Sequence, residues 1–340
     1  MKKFAALLCC MLTLLSFTLT ACRSNTVPPA IDEEEPPEEV SAADFEYVTS
    51  SSGDEIYITK YIGTAEQVVI PAEIDGLPVV SLKGDSSETG YVNEGVFEGS
   101  SIKTVSIPAS VRAIGFRAFK NCKALRRVTI PAGSALKNVI DEAFMDCTAL
   151  ETLDLSQTDT LSLVGVSTFE GCISLMEIKL ADTLATIDKR AFYGCYSLRE
   201  IRLPRELEKL GAAAFAKCTL LKTVSVPAKV SLTAVQEPMF YENPDLKTII
   251  FEEGRESIDG YAFFNITSEP EIFIPKSVTR FSGCTLFIHG NADLIFEGDC
   301  PELIKGQEAL TGTPTVYYDP STNGWDTCAW RDRFPLLPIE

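Results

Sequence analysis

The chain has 340 residues and carries 48 acidic and 30 basic side chains, which give a formal net charge of −18 at pH 7. An acidic chain without a basic stripe is a poor binder of phosphate backbones, so we expect no nucleic-acid partner. The single histidine, His289, lies in LFIHGN with no nucleophile-elbow sequence beside it, which disfavours a Ser-His-Asp or Cys-His catalytic unit. A paired-carboxylate glycosidase site remains open among 48 acids, although no Asp/Glu pair stands out. We therefore expect no enzyme, no cofactor and no metal.

Residues 1–21 are predicted to be a targeting segment. Lys2 and Lys3 precede an apolar run that is too short for a comfortable membrane span. The following Leu-Thr-Ala-Cys resembles a bacterial lipoprotein signal, in which Cys22 becomes the lipid-modified first residue. The alternative is an ordinary secretory signal. With the lipid, the protein would be anchored to the outer side of a membrane, and a Gram-positive surface and a Gram-negative periplasm both stay open.

Residues 22–44 are expected to form a tether. They include NTVPPAIDEEEPPEEVSAAD, with four prolines and a run of acids, which is typical of an extended, solvated segment. The folded part begins at Phe45, where two strands with a turn at Ser51–Gly53 are predicted to cap a repeat array. We divide the folded chain into a solenoid with its N-terminal cap, 45–280, and degenerate repeats with a C-terminal cap, 281–340.

One sequence pattern repeats between Phe97 and Phe263. Its clearest copies run from Ala118 to Pro131 and from Ala191 to Pro204, and both contain Ala-Phe-x-x-Cys-x-x-Leu before a short alternating run that ends in Pro. The anchoring aromatics are separated by 22 to 25 residues: Phe97, Phe119, Phe144, Phe169, Phe192, Phe215, Phe240 and Phe263. A period in the twenties over several copies predicts a leucine-rich repeat solenoid.

Each coil is expected to hold a short strand and a short helix, so the predicted fold class is an α/β solenoid with capping strands at both ends. Ala118, Phe119 and Cys122 would share one face of one or two helical turns. Val128 and Ile130 alternate with polar residues, as in a half-buried strand. A second inward-facing pair lies eight and five residues before the next phenylalanine: Val111/Ile114, Leu136/Val139, Leu161/Val164, Leu184/Ile187, Leu207/Leu210 and Leu232/Val235.

This pattern resembles the BspA-like leucine-rich repeat family of bacterial surface proteins. The segment VVIPAEIDGLPVVSL and the closing TVYYDPSTNGW are similar to the way such arrays begin and end. The resemblance implies an exported, surface-attached protein, and several members are thought to serve adhesion to host proteins or other cells. It implies no catalytic residues.

The cysteines at the repeat position are predicted to be small buried hydrophobes. Stacking in successive coils would give them parallel Cβ vectors, which suit neither a disulfide nor a tetrahedral metal site. The five members are Cys122, Cys147, Cys172, Cys195 and Cys218. Cys284, Cys300 and Cys328 fall outside this register, and sequence alone cannot say whether Cys300–Cys328 or another pair is bridged.

The exposed strand positions are the candidate ligand surface, because the sheet is a solenoid's usual binding face. They are polar, mixed in charge, and without an aromatic row for sugars or bases. The candidates are Arg127, Thr129, Thr152, Asp154, Glu177, Lys179, Glu200 and Arg202. A solvated surface whose charges pair across strands is the equally weighted alternative. A second candidate is a sugar platform of Trp325, Trp330 and Tyr317, although such aromatics more often seal the end of a core.

The lead functional hypothesis is a lipid-anchored, monomeric, non-catalytic surface protein that binds an unidentified host or envelope protein. The alternative is a carbohydrate-capture component of the cell envelope that uses the aromatic platform. A third hypothesis is a purely structural role in organising the envelope.

Overall fold

A computed structural model describes residues 41–83, 85–86, 92–231, 239–258, 266, 268–282, 292–304 and 314–339. One 3₁₀-helix spans Ala42–Asp44, and Ser41 caps it with a capping box. In chain order the strands are β1 Phe45–Thr49, β2 Ile56–Tyr61, β3 Gln67–Val69, β4 Glu73–Ile74, β5 Leu77–Leu82, β6 Asp85–Ser86, β7 Val92–Glu94, β8 Thr104–Ser106, β9 Ala113–Ile114, β10 Arg127–Thr129, β11 Asn138–Val139, β12 Thr152–Asp154, β13 Leu163–Val164, β14 Glu177–Lys179, β15 Thr186–Ile187, β16 Glu200–Ile201, β17 Lys209–Leu210, β18 Thr223–Val226, β19 Thr248–Phe251, β20 Ser257–Ile258, β21 Glu271–Ile274, β22 Arg280–Ser282, β23 Asp293–Phe296, β24 Glu302–Ile304, β25 Thr315–Tyr318 and β26 Leu336–Pro338.

The chain winds into a solenoid in which successive coils add parallel strands to two ladders. The first ladder contains the segments β3–β8–β10, β12–β14 and β16–β18–β19–β21–β23–β25–β26. The second contains β2–β5–β9–β11–β13–β15–β17 and, farther along, β20–β22–β24. A single coil is too thin to bury its apolar face, so each coil packs between its neighbours. The predicted solenoid is confirmed.

The predicted N-terminal cap is also present. β1 and β2 pair in an antiparallel hairpin, and β2 continues into the second ladder by pairing in parallel with β5. Phe45 at the start of β1 lies 6.3 Å from Phe97, ring centroid to ring centroid, in an edge-to-face arrangement. The hairpin therefore covers the open end of the core.

The short helix expected in each coil is wrong for the described residues, which contain no α-helix. The Ala-Phe-x-x-Cys segment is instead a series of turns. In the coil of Phe119, Arg117 and Asn121 have φ of 57° and 60°, and such left-handed residues interrupt a right-handed helix. The Phe119 N–H donates to the Ala143 carbonyl of the next coil at 2.7 Å, rather than along its own segment. Backbone hydrogen bonds between coils thus replace those of a helix.

The anchoring phenylalanines form a continuous stack inside the solenoid. From Phe97 to Phe240 each ring lies nearly parallel to the next, with centroids 4.9 to 6.1 Å apart and interplanar angles of 5° to 13°. The five inward-facing pairs from Val111/Ile114 to Leu207/Leu210 are at most 2% exposed. The predicted inward register is confirmed there, whereas Phe263, Leu232 and Val235 lie outside the described residues.

The first ladder continues in register through the region predicted to be degenerate. β19 begins at Thr248, and the next strands begin at Glu271, Asp293 and Thr315, so the period holds at 22 to 23 residues. The Ala-Phe-x-x-Cys signature is missing from these coils, but the alternation of the strands remains. The repeat architecture therefore extends well past 280.

Phe192→Ala should lower the free energy of unfolding by about 3–5 kcal/mol, because it opens a cavity in the middle of the ring stack. Urea denaturation followed by circular dichroism measures this change. Thr129→Ala, at an exposed strand position, is the matched control and should change stability by less than about 0.5 kcal/mol. Equal, small effects of both substitutions would contradict the assigned core.

Candidate functional site

The eight candidate surface residues all lie exposed on or beside the first ladder. Parallel pairing places Thr152 opposite Glu177 and Asp154 opposite Lys179. Glu200 is opposite Thr223 in the next strand, and Arg202 follows the end of β16. Because the strands are short and parallel, these side chains form two columns across successive coils. We call this surface the strand face.

Three ion pairs of Lys179 and Arg202 on the strand face are long. Lys179 Nζ lies 3.7 Å from Asp154 Oδ2 and 3.9 Å from Glu177 Oε1. Arg202 lies 4.0 Å from Asp182, and both side chains are more than 80% exposed. Exposed pairs of this kind contribute little to stability, about 0–1 kcal/mol each. Their charges are consequently available to an incoming partner.

Asp154 is held in its ionised form on this face. Its partial burial opposes ionisation, but hydrogen bonds from the Ser156 hydroxyl and N–H, with the nearby Lys179 ammonium, lower the pKa of Asp154. A carboxylate with a lowered pKa is suited to pairing with a cation rather than to donating a proton at neutral pH.

An exposed apolar edge borders the strand face. Ile173 and Tyr196 each directly follow the repeat cysteine of their coil, and the two coils are successive. Their side chains are 41% and 46% exposed. Met176 directly precedes β14, and Leu220 lies shortly before β18, two coils farther along. Sequence reasoning missed this edge. The available signal was the appearance of large apolar residues at the variable positions beside Cys-x-x-Leu in these coils alone.

The outer column of the first ladder becomes apolar toward the C-terminus. Register continues from Ile250 to Phe273, Ile295, Tyr317 and Leu337. Phe273 and Ile295 are 5% and 3% exposed even though their neighbours along each strand face the core. The expectation of a polar column without aromatics therefore holds only up to the coil of Thr248.

The five repeat cysteines are buried and free, as predicted. Each thiol also donates a hydrogen bond to the carbonyl of the phenylalanine one coil earlier, over 2.9 to 3.2 Å. In the next coil Asn243 takes this position and donates from Nδ2 to the Phe215 carbonyl at 2.8 Å. The column is thus a structural ladder that satisfies buried carbonyl groups, a role beyond simple packing.

The two tryptophans seal the C-terminal end of the core. Trp330 is fully buried and Trp325 is 3% exposed. Trp325 stacks on Tyr318 at 5.1 Å between centroids, and Trp330 packs edge-on against Phe281 at 5.2 Å. Neither indole has an open face on which a sugar ring could stack, so the arrangement does not support the predicted sugar platform with Tyr317.

Several predicted features lie outside the described residues: Cys22, the tether up to residue 40, Cys284 and His289. Within the described ranges, no group of three or more His, Cys, Asp or Glu side chains is arranged to hold a metal ion. The same part of the chain contains no helix with the length and apolar character needed to cross a membrane.

A model of the BspA type leucine rich repeat region matches six copies, over residues 90–162 and 162–288. Together the two ranges cover more than half of the chain. The chain belongs to this family. No curated protein matches the chain.

Solved structures with a similar architecture come from several bacteria. The leucine-rich repeat protein of T. pallidum is 29% identical over 54% of this chain and 91% of its own, with a TM-score of 0.41. A leucine rich cell surface protein from Faecalibacterium prausnitzii A2-165 is 20% identical over 90% of this chain and 95% of its own, with a TM-score of 0.44. The pneumococcal vaccine antigen PcpA is 15% identical over 87% and 96%, with a TM-score of 0.33. The family assignment itself rests on the repeat match.

Native protein should leave the five ladder thiols unmodified by iodoacetamide at pH 8, and denatured protein should be alkylated at all five. Burial raises the pKa of Cys122 to about 11 and that of Cys218 to about 12, from an ordinary 9.0. Because the thiolate is the reactive form, these thiols should be inert. Peptide mapping by mass spectrometry reads the outcome, and native labelling of the ladder would contradict the assignment.

The same pKa shifts predict alkaline destabilisation. Below pH 9 the ladder thiols are protonated in both the folded and the unfolded chain, so their contribution to stability is complete. As the pH rises from about 9 to about 12, the unfolded chain loses these protons first, and the free energy of unfolding should fall. A Cys122→Ala/Cys218→Ala variant should show a shallower fall in a urea midpoint measured against pH.

Proposed function

We propose that this protein is an exported, lipid-anchored surface protein whose solenoid binds protein ligands and serves adhesion, without catalysis. Membership in the BspA-type repeat family supports a surface role, since members are typically exported and attached to cells. The lipoprotein-like segment ending in Cys22 supports the anchor. The strand face and the apolar edge together support binding of a protein.

The combination of charge and apolar surface is the observation that carries the proposal. Exposed Glu177, Lys179 and Glu200 lie on parallel strands and Arg202 directly follows one, and the apolar edge borders the same coils. Protein interfaces commonly combine an apolar centre with a polar, charge-bearing rim. A clustered group of exposed large apolar side chains is also more than the scattered ones of an ordinary surface.

Other ligand classes fit this surface less well. A nucleic acid requires a basic stripe, whereas the strand face is of mixed sign and the chain carries −18. Sugar rings are commonly held by stacking on aromatic faces, and Trp325 and Trp330 are covered.

Charge reversal on the strand face should weaken binding of the captured ligand. The purified protein is immobilised, ligands are recovered from host and bacterial extracts, and each candidate is re-tested as a pure protein by biolayer interferometry. Arg127→Glu/Arg202→Glu should weaken its affinity at least tenfold, or about 1.4 kcal/mol, because arginines at interfaces often dominate binding. Met176→Ser/Tyr196→Ser should have a similar effect through the apolar edge.

Lys137→Glu is the matched control, because it reverses an exposed lysine beside the second ladder. It should bind like the unmodified protein, and all variants should keep their melting temperature. Equal affinity of the strand-face and control variants would refute this binding face. Recovery of glycans alone, or of no saturable ligand, would favour sugar capture or a role in organising the envelope.

Lipidation of Cys22 can be tested separately. In a bacterium fed an alkyne-tagged fatty acid, the full chain should acquire the tag and partition into the detergent phase. Cys22→Ala should lose both properties, because a diacyl anchor needs that thiol. An untagged chain released into the medium would indicate an ordinary secretory signal.

A further inference from the structure

Two cysteines outside the repeat register lie where two C-terminal segments, residues 298–301 and 322–330, are joined. The Cys300 N–H donates to the Asn323 carbonyl at 2.9 Å, and the Trp325 indole N–H donates to the Gly298 carbonyl at 3.3 Å. The Trp330 indole N–H donates to the Pro301 carbonyl at 3.1 Å. These bonds hold residues on both sides of each cysteine in a fixed relation.

Gly324 brings the two segments close together. It has φ of +85°, a left-handed conformation that favours glycine, and a Cβ built there would lie 3.3 Å from Cys300 Cβ. The backbone of 323–324 consequently passes directly beside Cys300, a few residues before Cys328. The approach does not depend on side-chain flexibility.

The thiols of Cys300 and Cys328 differ from those of the five repeat cysteines in their burial and in their hydrogen-bond distances. Cys300 and Cys328 are both free and half-buried, and the Cys328 thiol is near enough to help raise the pKa of Cys300. Their contacts with backbone carbonyls are long, 3.9 Å to Pro301 and 3.7 Å to Trp325, whereas the ladder thiols have contacts of 2.9 to 3.2 Å. The sulfur atoms of this pair are thus bonded to the backbone more weakly than those of the repeat cysteines.

We propose that Cys300 and Cys328 are a disulfide-forming pair that locks the C-terminal cap of the solenoid. The bond would link the strand-end segment after β23 to the turn that carries both tryptophans. Its formation in the cell rests on the proposed export, because disulfides persist in oxidising compartments.

The chemistry requires an oxidised dithiol as the two-electron acceptor. Burial, together with the Cys328 thiol, raises the pKa of Cys300, so the first attack is assigned to Cys328. Its thiolate attacks one sulfur of the acceptor disulfide, forms a mixed disulfide and releases one acceptor thiolate. Cys300 then loses its proton to solvent and attacks the Cys328 sulfur, which forms the internal bond and releases the second acceptor thiolate. Two protein thiols are oxidised to the disulfide, and the acceptor disulfide is reduced to two thiols, which are two molecules of glutathione when oxidised glutathione is the acceptor.

The pair would stabilise the C-terminal end of the solenoid. It closes a loop of 28 residues, and cross-linking a loop of this length lowers the entropy of the unfolded chain. That loop contains β25 and Trp325, and Trp330 follows two residues after Cys328. Without the bond, this end would depend on packing and hydrogen bonds alone.

The test uses the purified full chain and oxidised glutathione as the acceptor. Peptide mapping without reductant should find Cys300 linked to Cys328, while Cys147 and Cys172, neighbours in the buried ladder, stay reduced. The oxidised form should melt about 5 °C or more above the reduced form, and Cys300→Ser/Cys328→Ser should melt with the reduced form and lose this response. Because the reaction is run on purified protein, its failure is distinct from a failure of export, which the Cys22 experiment reads.

Two results would overturn the proposal. Glutathione retained on one or both cysteines, or a bond from either to Cys284, would show that the two thiols do not form the bond. An internal Cys300–Cys328 bond that leaves the melting temperature unchanged would refute its locking role. The single variants keep the test interpretable if the double variant folds poorly. Cys300→Ser should trap a mixed glutathione disulfide on Cys328, whereas Cys328→Ser should trap much less on Cys300, whose pKa is raised.

Discussion

The backbone hydrogen bond between the phenylalanine turns of successive coils is the interaction on which the rest of this structure depends. Left-handed residues on either side of Phe119, Phe144 and Phe169 turn each N–H away from its own segment and toward the next coil, at 2.7 to 2.8 Å. This geometry brings the rings into a stack and directs each repeat cysteine toward the carbonyl of the preceding phenylalanine. The stacking of the phenylalanine rings and the hydrogen bonds that the repeat cysteines donate to the phenylalanine carbonyls therefore both follow from this backbone geometry.

The register that these internal bonds impose also fixes where the outward side chains of the first ladder lie. Because the coils are held in register from within, the outward side chains of the first ladder form straight columns that need few ion pairs of their own. Polar and charged residues on such a surface are tolerated without a large effect on folding, so their identity is free to serve recognition. The mixed charges beside the exposed edge of Ile173, Met176, Tyr196 and Leu220 are consistent with this division between a structural interior and a binding exterior.

Much of the fold could be predicted from the sequence, because the interior obeys a strict period. Phe97 to Phe240, the inward pairs and the cysteine column were identified from spacing alone. The helix was wrongly expected because Ala118, Phe119 and Cys122 have helical spacing, whereas the left-handed positions carry varied residues such as Arg117 and Glu142 rather than glycine.

The exposed apolar edge was missed because variable positions carry no period. Coils beyond 280 lack the full Ala-Phe-x-x-Cys-x-x-Leu pattern but keep the strand alternation, so their register emerged only from strand pairing.

Amide hydrogen exchange, resolved by NMR, tests the central claim most directly. If bonds between coils hold the solenoid, the N–H groups of Phe119, Phe144, Phe169 and Phe192 should exchange only by the slowest, near-global opening, with similar protection in each coil. The exposed turn amides at Ser51 and Ser52 provide the fast reference within the same sample. Exchange of the phenylalanine amides as fast as this reference would contradict the account, because it would show that the coils are not coupled through these bonds.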